Sequence, residues 1–365
     1  MAGVHGPPAM CLLGLSVFIM LGQAFTDSAG CSYQTLLNDI GLGQGDNATL
    51  VAARPVRNWQ NYTVIYVDLY LYAVVEVNEK FQSFSAQVYL QMNWVNEFLS
   101  WNPEDYCEIG HVTIPKEYVW KPDLSIYESI DSKAGMTETP FVQLWASGIS
   151  VIGDSYKLTC SCKMDLYKFP FDTQRCMLTV LSIMYHTDEV HLLPLNDTAN
   201  LTSVKIFRTG GEWELIGMQV DTENLTINGL TWDQVVYTVI IKRRPLLYVV
   251  NFLLPVLYFI VLDFASFFIS EDGGEKLGFK VTLLLAISVL LLILHDLLPS
   301  TDHNIPLIGV YCSGIFTALA VSVLETIAVS FLKRMAKKID VECRKTKISQ
   351  KVENADSQQA KTWFY

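Results

Sequence analysis

The sequence predicts an extracellular all-β sandwich followed by an all-α transmembrane domain. From about residue 30 to 242, apolar and polar residues alternate in short runs, which is the pattern of half-buried strands. Beyond residue 242 there are three apolar stretches, at about 246–269, 277–296 and 305–332. At about 1.5 Å per residue, such stretches match the roughly 30 Å hydrocarbon core of a bilayer. With 51% hydrophobic and only 17% charged residues, the chain is unlike a wholly soluble protein.

The strand pattern is clearest in residues 85–94. One set of side chains there would face the core, and it comprises Ala86, Val88, Leu90, Met92 and Trp94. Residues 63–77 alternate in the same way, with Ile65, Val67, Leu69 and Leu71 on one side. Many short strands separated by Gly, Pro and Asn favour a sandwich of two sheets.

The distribution of charge predicts the orientation in the membrane. Residues 25–241 contain 26 acidic and 12 basic side chains, whereas residues 332–365 contain 4 acidic and 9 basic ones. Because basic segments beside apolar spans stay on the cytoplasmic side, we expect the N-terminus outside the cell and the tail inside. The predicted organisation is a signal peptide at 1–24, an extracellular domain at 25–242, a transmembrane domain at 243–332 and a cytoplasmic tail at 333–365. We expect the tail to extend the last helix and then to lose regular structure.

Two further features fit an extracellular first block. Residues 10–21 form an apolar run of signal-peptide length, too short to span a bilayer. Five N-glycosylation sequons all precede the membrane segments, at Asn47, Asn61, Asn196, Asn200 and Asn224. The five cysteines between residues 31 and 176 would lie in an oxidising compartment, where disulfides form. Their odd number leaves at least one thiol unpaired or paired with another chain.

Several classes of function are disfavoured. The formal net charge of −11 argues against a nucleic-acid-binding protein, which needs a concentrated basic face. The sequence contains no P-loop, no G-x-S-x-G and no H-E-x-x-H motif, so we predict that the protein is not an enzyme. We expect no cofactor and no metal site. His186 and His191 lie near Asp188 and Glu189, but we interpret that segment as a solvated polar loop.

One constellation is specific enough to indicate a family. Cys162 and Cys176 enclose thirteen residues, which contain F-P-F-D at 169–172, ahead of the three apolar stretches. Other motifs follow in order, among them W-K-P-D at 120–123, R-R-P-L at 243–246 and P-L-I-G-V-Y at 306–311. On these motifs the sequence, from about Asp39 to Lys333, resembles the Cys-loop family of pentameric ligand-gated ion channels, in particular the serotonin type 3 receptor subunits. The resemblance implies a Cys162–Cys176 disulfide, a pentamer around a central pore and a postsynaptic plasma-membrane location.

The second apolar stretch has one traceable face. Residues spaced four, three, four, three and four apart share one side of a helix, and they are Gly278, Thr282, Leu285, Val289, Leu292 and Asp296. From the spacing alone, this stripe is either a helix-packing seam or the wall of a pore. The resemblance favours the pore, in which Leu285 and Val289 would form an apolar constriction. Glu275 and Asp296 would place carboxylates at both mouths, which predicts selectivity for cations such as Na⁺, K⁺ and Ca²⁺.

The resemblance also implies which residues couple the two domains. The family sets the Cys-loop against the linker that joins the second and third spans, with an arginine beside them. The matching residues are Phe169, Pro170, Phe171, Asp172, Arg244 and Pro299. Simpler interpretations exist, since Pro170 can merely form a turn and Arg244 can extend to the lipid headgroups.

Agonist recognition in this family uses an aromatic cage between subunits, because a cation is attracted to ring faces. The residues that match cage positions are Tyr89, Tyr127, Glu128, Ile183, Tyr185 and Trp232. Tyr89 and Ile183 stand where serotonin-binding relatives carry Trp. Two interpretations follow: an altered cage for an amine such as serotonin, or an accessory subunit that assembles with a competent partner in a heteropentamer. Ile183 favours the second.

A function of another class is compatible with the sequence. Because the tail contains no fourth apolar stretch, the chain could be a three-span regulator or binding module that assembles with channel subunits without conducting. Asp263 and Glu325 fall within predicted spans, where a lone charge is costly. We expect both side chains to pack between helices.

Overall fold

The described part of the chain begins with a short helix. The computed structural model describes residues 32–43, 51–131, 139–195, 206–208, 211–269, 274–297 and 305–362, and for 297 and 352–362 it gives the backbone only. Helix α1 (Tyr33–Asp39) starts at Ser32, whose hydroxyl accepts a hydrogen bond from the Gln34 N–H at 3.1 Å. The predicted signal peptide, the sequons at Asn47, Asn196 and Asn200, and Pro299 lie outside the described residues.

Two sheets form the predicted sandwich. The described strands are β1 (Thr63–Asn78), β2 (Ser83–Val95), β3 (His111–Pro115), β4 (Leu124–Ile126), β5 (Phe141–Trp145), β6 (Ile149–Ser161), β7 (Thr173–Ser182), β8 (Val190–Pro194), β9 (Trp213–Ile227) and β10 (Leu230–Arg243). One sheet has the order β3-β5-β6-β2-β1-β8, and the other has the order β4-β7-β10-β9. Strand β8 runs parallel to β1, whereas the other pairs are antiparallel. The all-β fold class of this domain is confirmed.

The core between the sheets follows the predicted alternation. The inward residues of β2, from Ala86 to Trp94, are at most 8% exposed, and those of β1, from Ile65 to Leu71, are fully buried. Tyr237 of β10 joins the sheets, because its hydroxyl donates to the Val67 carbonyl oxygen at 2.9 Å. Burial raises the pKa of this hydroxyl, so it remains a donor.

The Cys162–Cys176 disulfide is present. Cys162 follows β6 of the six-stranded sheet and Cys176 lies within β7 of the four-stranded sheet, so the bond ties the two sheets together. Cys160 is a buried free thiol, which accords with the odd number of cysteines in this block. Burial raises the pKa of the Cys160 thiol to about 12.

The described residues of the second domain form three helices: α2 (Leu246–Phe268), α3 (Glu275–Leu297) and α4 (Leu307–Thr362). Each contains a segment long and apolar enough to cross a membrane. In α2 the residues Val249–Leu253 form a π-helical turn just before Pro255, which has no N–H to donate within the helix. Helix α4 continues through the predicted tail, so the expected loss of regular structure there is wrong for the described residues.

The three helices pack through one face of each. Leu283, Ile287 and Leu294 of α3 are buried, as are Ile308, Cys312, Ile315 and Leu319 of α4. Asp263 of α2 is packed between helices as expected, whereas Glu325 of α4 is exposed on this single chain.

Candidate functional site

The open face of α3 coincides with the stripe predicted from the spacing. All six of its members are exposed, and they are Gly278, Thr282, Leu285, Val289, Leu292 and Asp296. Glu275, at the start of the helix, is exposed as well. Leu285 and Leu292 are 65% and 66% exposed, whereas Ile287 on the other face is fully buried. Within this chain the stripe is therefore not a packing seam.

The charged side chains of α3 divide between its two faces. Glu275 and Asp296 are exposed at opposite ends, roughly 31 Å apart at 1.5 Å per residue. Lys276 and Lys280 are only 9% and 1% exposed, because both point into the helix packing. The open face of the described helix thus carries carboxylates but neither lysine.

Arg243 is the centre of a buried cluster where the sandwich meets α2. Its Nε and Nη2 donate to the two carboxylate oxygens of Asp172 at 2.8 and 3.2 Å. Nη2 also donates to Glu79 Oε1 at 2.6 Å. Its guanidinium lies over three rings, those of Trp213, Phe169 and Tyr248, at 4.2, 4.8 and 5.4 Å. Two carboxylates and three aromatic faces therefore hold one cation.

The predicted coupling arginine, Arg244, lies outside this cluster. It is exposed, and its backbone N–H donates to the Glu212 carbonyl oxygen at 2.7 Å. Arg243 is the residue that sequence reasoning missed, although the alternation of β10 gave a signal: Val239 and Ile241 face inward, and Arg243 follows in the same register. Burial alone would lower the pKa of Arg243, but Asp172 and then Glu79 outweigh it and raise the pKa.

The Cys-loop contacts the ends of the membrane helices. The Leu307 N–H at the start of α4 donates to the Tyr167 carbonyl oxygen at 3.0 Å. A mostly apolar, open cavity of about 390 Å³ lies nearby, and its walls include Phe169, Pro170, Phe171, Leu253, Ile308 and Tyr311. The loop thus contacts both α4, through the Leu307 hydrogen bond, and α2, where the rings of Phe169 and Tyr248 lie 5.0 Å apart.

Tyr127 and Ile183 line a cleft of about 550 Å³ at the edge of the sandwich. Both side chains are largely exposed, at 71% and 64%. Glu128 beside them has a structural role, because its carboxylate accepts hydrogen bonds from the N–H and hydroxyl of Thr179 at 2.7 and 2.6 Å. This pair of bonds fixes β4 on β7 and leaves Tyr127 free to face outward.

Tyr185 and Trp232 are engaged by contacts inside the chain. The Tyr185 hydroxyl accepts a hydrogen bond from Trp120 Nε1 at 3.3 Å, and the two rings meet edge-on. The ring of His186 lies 4.7 Å from that of Trp232, at an angle of 46°. A cation approaching this face of Trp232 would compete with His186. His186 was not predicted as a site residue, and its position next to Tyr185 was the only signal.

Tyr89 faces away from this cleft. Its neighbour Leu90 lines the cleft, and successive strand residues point to opposite faces. Tyr89 instead lies 6.0 and 6.2 Å from the rings of Tyr70 and Tyr72. Burial raises the pKa of the Tyr89 hydroxyl. The predicted cage residues therefore do not converge in one chain, and a site with both sets would need two chains.

Comparisons with known proteins identify the family. Residues 50–245 match the profile of the neurotransmitter-gated ion-channel ligand binding domain, and residues 252–361 match that of the neurotransmitter-gated ion-channel transmembrane region. The chain belongs to the neurotransmitter-gated ion channels. The resemblance predicted from the sequence motifs is confirmed.

Individual relatives place it near one branch of this family. It is 35% identical to the 5-hydroxytryptamine receptor 3A of Rattus norvegicus over 342 residues, which cover 92% of the chain and 70% of the relative. It is 34% identical to the 5-hydroxytryptamine receptor 3E of Homo sapiens over 330 residues, 87% of the chain and 70% of the relative. The neuronal acetylcholine receptor subunit beta-3 of Rattus norvegicus is 31% identical over 278 residues, 76% of the chain and 59% of the relative. The chain thus spans 59% to 70% of the length of these relatives.

As a neurotransmitter-gated channel family member close to the 5-hydroxytryptamine receptor 3 subunits, the protein is a multi-pass membrane protein and not an enzyme. The Cys162–Cys176 disulfide accords with the Cys-loop of this family. The roles assigned to the stripe, the cage and the coupling residues stay predictions. So does glycosylation, for which Asn61 and Asn224 are exposed.

Proposed function

We propose that this chain is an accessory subunit of a cation-selective, agonist-gated pentamer that passes Na⁺, K⁺ and Ca²⁺ at the postsynaptic plasma membrane. Its neighbours would be competent subunits of the 5-hydroxytryptamine receptor 3 type. The observation that carries this proposal is the stripe of α3, which is exposed along its whole length. An exposed carboxylate lies at each end of it, Glu275 at one and Asp296 at the other.

Selectivity for cations is supported by the way α3 distributes its charges. A carboxylate at a pore mouth attracts cations and repels anions. Glu275 and Asp296 lie on the open face, whereas Lys276 and Lys280 are turned into the helix packing. Leu285 and Val289, at 65% and 51% exposed, would supply the apolar constriction between them.

The accessory role is supported by the cage residues Ile183, Tyr185 and Trp232. In a cage between two subunits they would form one half, here called the principal half, and Tyr89 of the neighbouring chain would belong to the other, complementary half. Ile183 offers no ring to a cation, Tyr185 bonds to Trp120, and His186 lies against Trp232. An amine such as serotonin would therefore find a weak principal half on this chain. Tyr89 lies on the opposite side of the domain, where it can contribute to the complementary half of a cage that a neighbouring subunit completes.

Recording agonist-evoked currents tests the accessory role. We expect serotonin to evoke no current from cells that express the chain alone. Co-expression with a 5-hydroxytryptamine receptor 3A subunit is expected to give a current whose single-channel conductance differs from that of the 3A subunit by itself. A robust current from the chain alone would contradict the accessory role and favour the altered cage.

Neutralising single carboxylates tests whether the chain lines the pore. In co-expressed receptors, Asp296→Asn and Glu275→Gln are each expected to lower the single-channel conductance, because they remove charge at a mouth. Glu325→Gln is the matched control, since Glu325 is an exposed carboxylate of α4 that lies off the stripe. If all three variants assemble and behave alike, the chain is a non-conducting regulator instead.

A further inference from the structure

A triad of polar side chains, the Lys280–Asp263 ion pair and Ser322, joins the three membrane helices. Lys280 of α3 is 1% exposed, and its ammonium lies 3.4 Å from Asp263 Oδ1 of α2. The same ammonium donates to the hydroxyl of Ser322 on α4 and, at 3.4 Å, to the Ser322 carbonyl oxygen. The Ser322 hydroxyl in turn donates to Asp263 Oδ1 at 3.0 Å. Each residue thus contacts the other two, and each belongs to a different helix.

The position of Lys280 is not the one that an isolated lysine would take. A long basic side chain near the end of a membrane helix normally extends to the interface and keeps its charge in water. Lys280 instead points into the helix packing, where it lies 4.7 Å from the centre of the Phe267 ring. Such burial is tolerated only when a carboxylate and further hydrogen bonds compensate the charge, and Asp263 and Ser322 supply both.

The triad lies opposite the open stripe of α3. A helix turns by about 100° per residue, so the six stripe residues from Gly278 to Asp296, Leu292 included, are displaced from Lys280 by about 120° to 180°. Holding Lys280 against α2 and α4 therefore points the stripe away from both. A rotation of α3 by a single residue would pull the ammonium out of reach of Asp263 and leave one unpaired charge on α3 and another on α2.

We infer that Asp263, Lys280 and Ser322 act as positioning residues that lock the rotation of α3. Apolar packing alone fixes rotation weakly here, because α3 is apolar around most of its circumference and only Glu275, Lys276, Lys280 and Asp296 carry formal charge within it. The ion pair supplies the angular preference that the apolar surface lacks. Its consequence for conduction rests on the proposed function, whereas its effect on helix packing does not.

The test measures which face of α3 meets water. Leu285→Cys and Ile287→Cys are introduced separately, since Leu285 is 65% exposed and Ile287 fully buried. Each is combined with Lys280→Met, with Asp263→Asn, and with the exchanged pair Asp263→Lys/Lys280→Asp, and Glu325→Gln serves as the control. The complexes that reach the cell surface are treated with an impermeant charged thiol reagent, and the labelling rate is expressed per surface copy.

We expect the difference in labelling rate between positions 285 and 287 to shrink in the single variants and to return in the exchanged pair. The ratio of the labelling rates at 285 and 287 should fall about tenfold in Lys280→Met and in Asp263→Asn, within the range of couplings seen between contacting residues. The exchanged pair should restore it at least in part, whereas a purely volumetric role would not be rescued by exchanging the charges. Glu325→Gln should leave the ratio unchanged.

Each other outcome is decisive. If the single variants fail to reach the surface, restoration of surface copies by the exchanged pair supports the lock, and failure of that rescue overturns it. An unchanged ratio in both single variants also overturns it. If Leu285→Cys is unreactive in the otherwise unmodified chain, the proposed pore fails. The labelling rate of Ile287→Cys then decides the lock, because a rise in both single variants supports it and an unchanged rate overturns it.

Discussion

Replacing Arg243 by Met is expected to destabilise the junction between the sandwich and the membrane helices. The change leaves Asp172, which is 2% exposed, and Glu79 without their shared cation. Removing one partner of a buried ion pair costs about 3–5 kcal/mol, because the remaining charge is left in a poorly solvated site. Arg243→Lys should cost less, about 1.5–3 kcal/mol, since it keeps the charge but loses one of the bonds to the carboxylates.

The neighbouring residue provides the matched control. Arg244 is exposed and bonds to Glu212 through its backbone N–H, so Arg244→Met should change stability by no more than about 0.5 kcal/mol. Thermal unfolding of the detergent-solubilised complex, followed by size-exclusion chromatography, would rank the variants. Arg243→Met should melt first, then Arg243→Lys, and Arg244→Met should match the unmodified complex. Equal melting of the two Met variants would refute the argument from burial.

Three further outcomes are expected. Because burial raises the pKa of Cys160 to about 12, alkylation of the native protein at pH 8 should label the exposed Cys343 and spare Cys160. Mass spectrometry of the peptides would show which cysteine is labelled, and labelling of both would contradict this expectation. Burial alone would raise the pKa of Asp154, but hydrogen bonds from Lys116 and Thr139 outweigh this effect and lower the pKa. The ionised Asp154 therefore adds to the free energy of unfolding at pH values above the ordinary carboxyl pKa of about 3.9, and this contribution is lost as the pH falls through the lower native pKa. Asp154→Asn should remove the contribution of this carboxyl to the pH dependence of the unfolding free energy, measured by unfolding at a series of acidic pH values. Finally, Ile183→Trp should lower the half-maximal agonist concentration of co-expressed receptors by up to about tenfold through a new cation–ring contact, whereas Ile183→Leu should not.

The fold was predictable because its signals are local. The period of two in β1 and β2 follows from strand geometry, and the inward residues Ala86 and Val88 are fully buried as that period requires. The same reasoning identified which residues share one face of α3 from a spacing of three and four residues, although the spacing left open whether that face is packed or exposed. The sandwich and the membrane helices could be predicted without any long-range contact.

The candidate site was less predictable because its parts depend on long-range packing. The alternation of β10 is compatible with an inward Arg243, which was not predicted, and no local pattern showed that Asp172, far away in sequence, would meet it. Likewise His186 was visible beside Tyr185, but nothing local placed its ring against Trp232. Tyr89 and Tyr127 both matched cage positions, and only the sandwich puts them on different faces.

The sequence by itself determined which segments are strands and which are membrane helices, since hydrophobic period and length act over a few neighbouring residues. It also determined the family, because several spaced motifs occur in order. Only the tertiary structure decided which charges are compensated: Arg243 rather than Arg244 meets two carboxylates, and Lys280 meets Asp263 across two helices. The physical reason is that the free energy of a buried charge depends on partners that the chain brings together from distant positions.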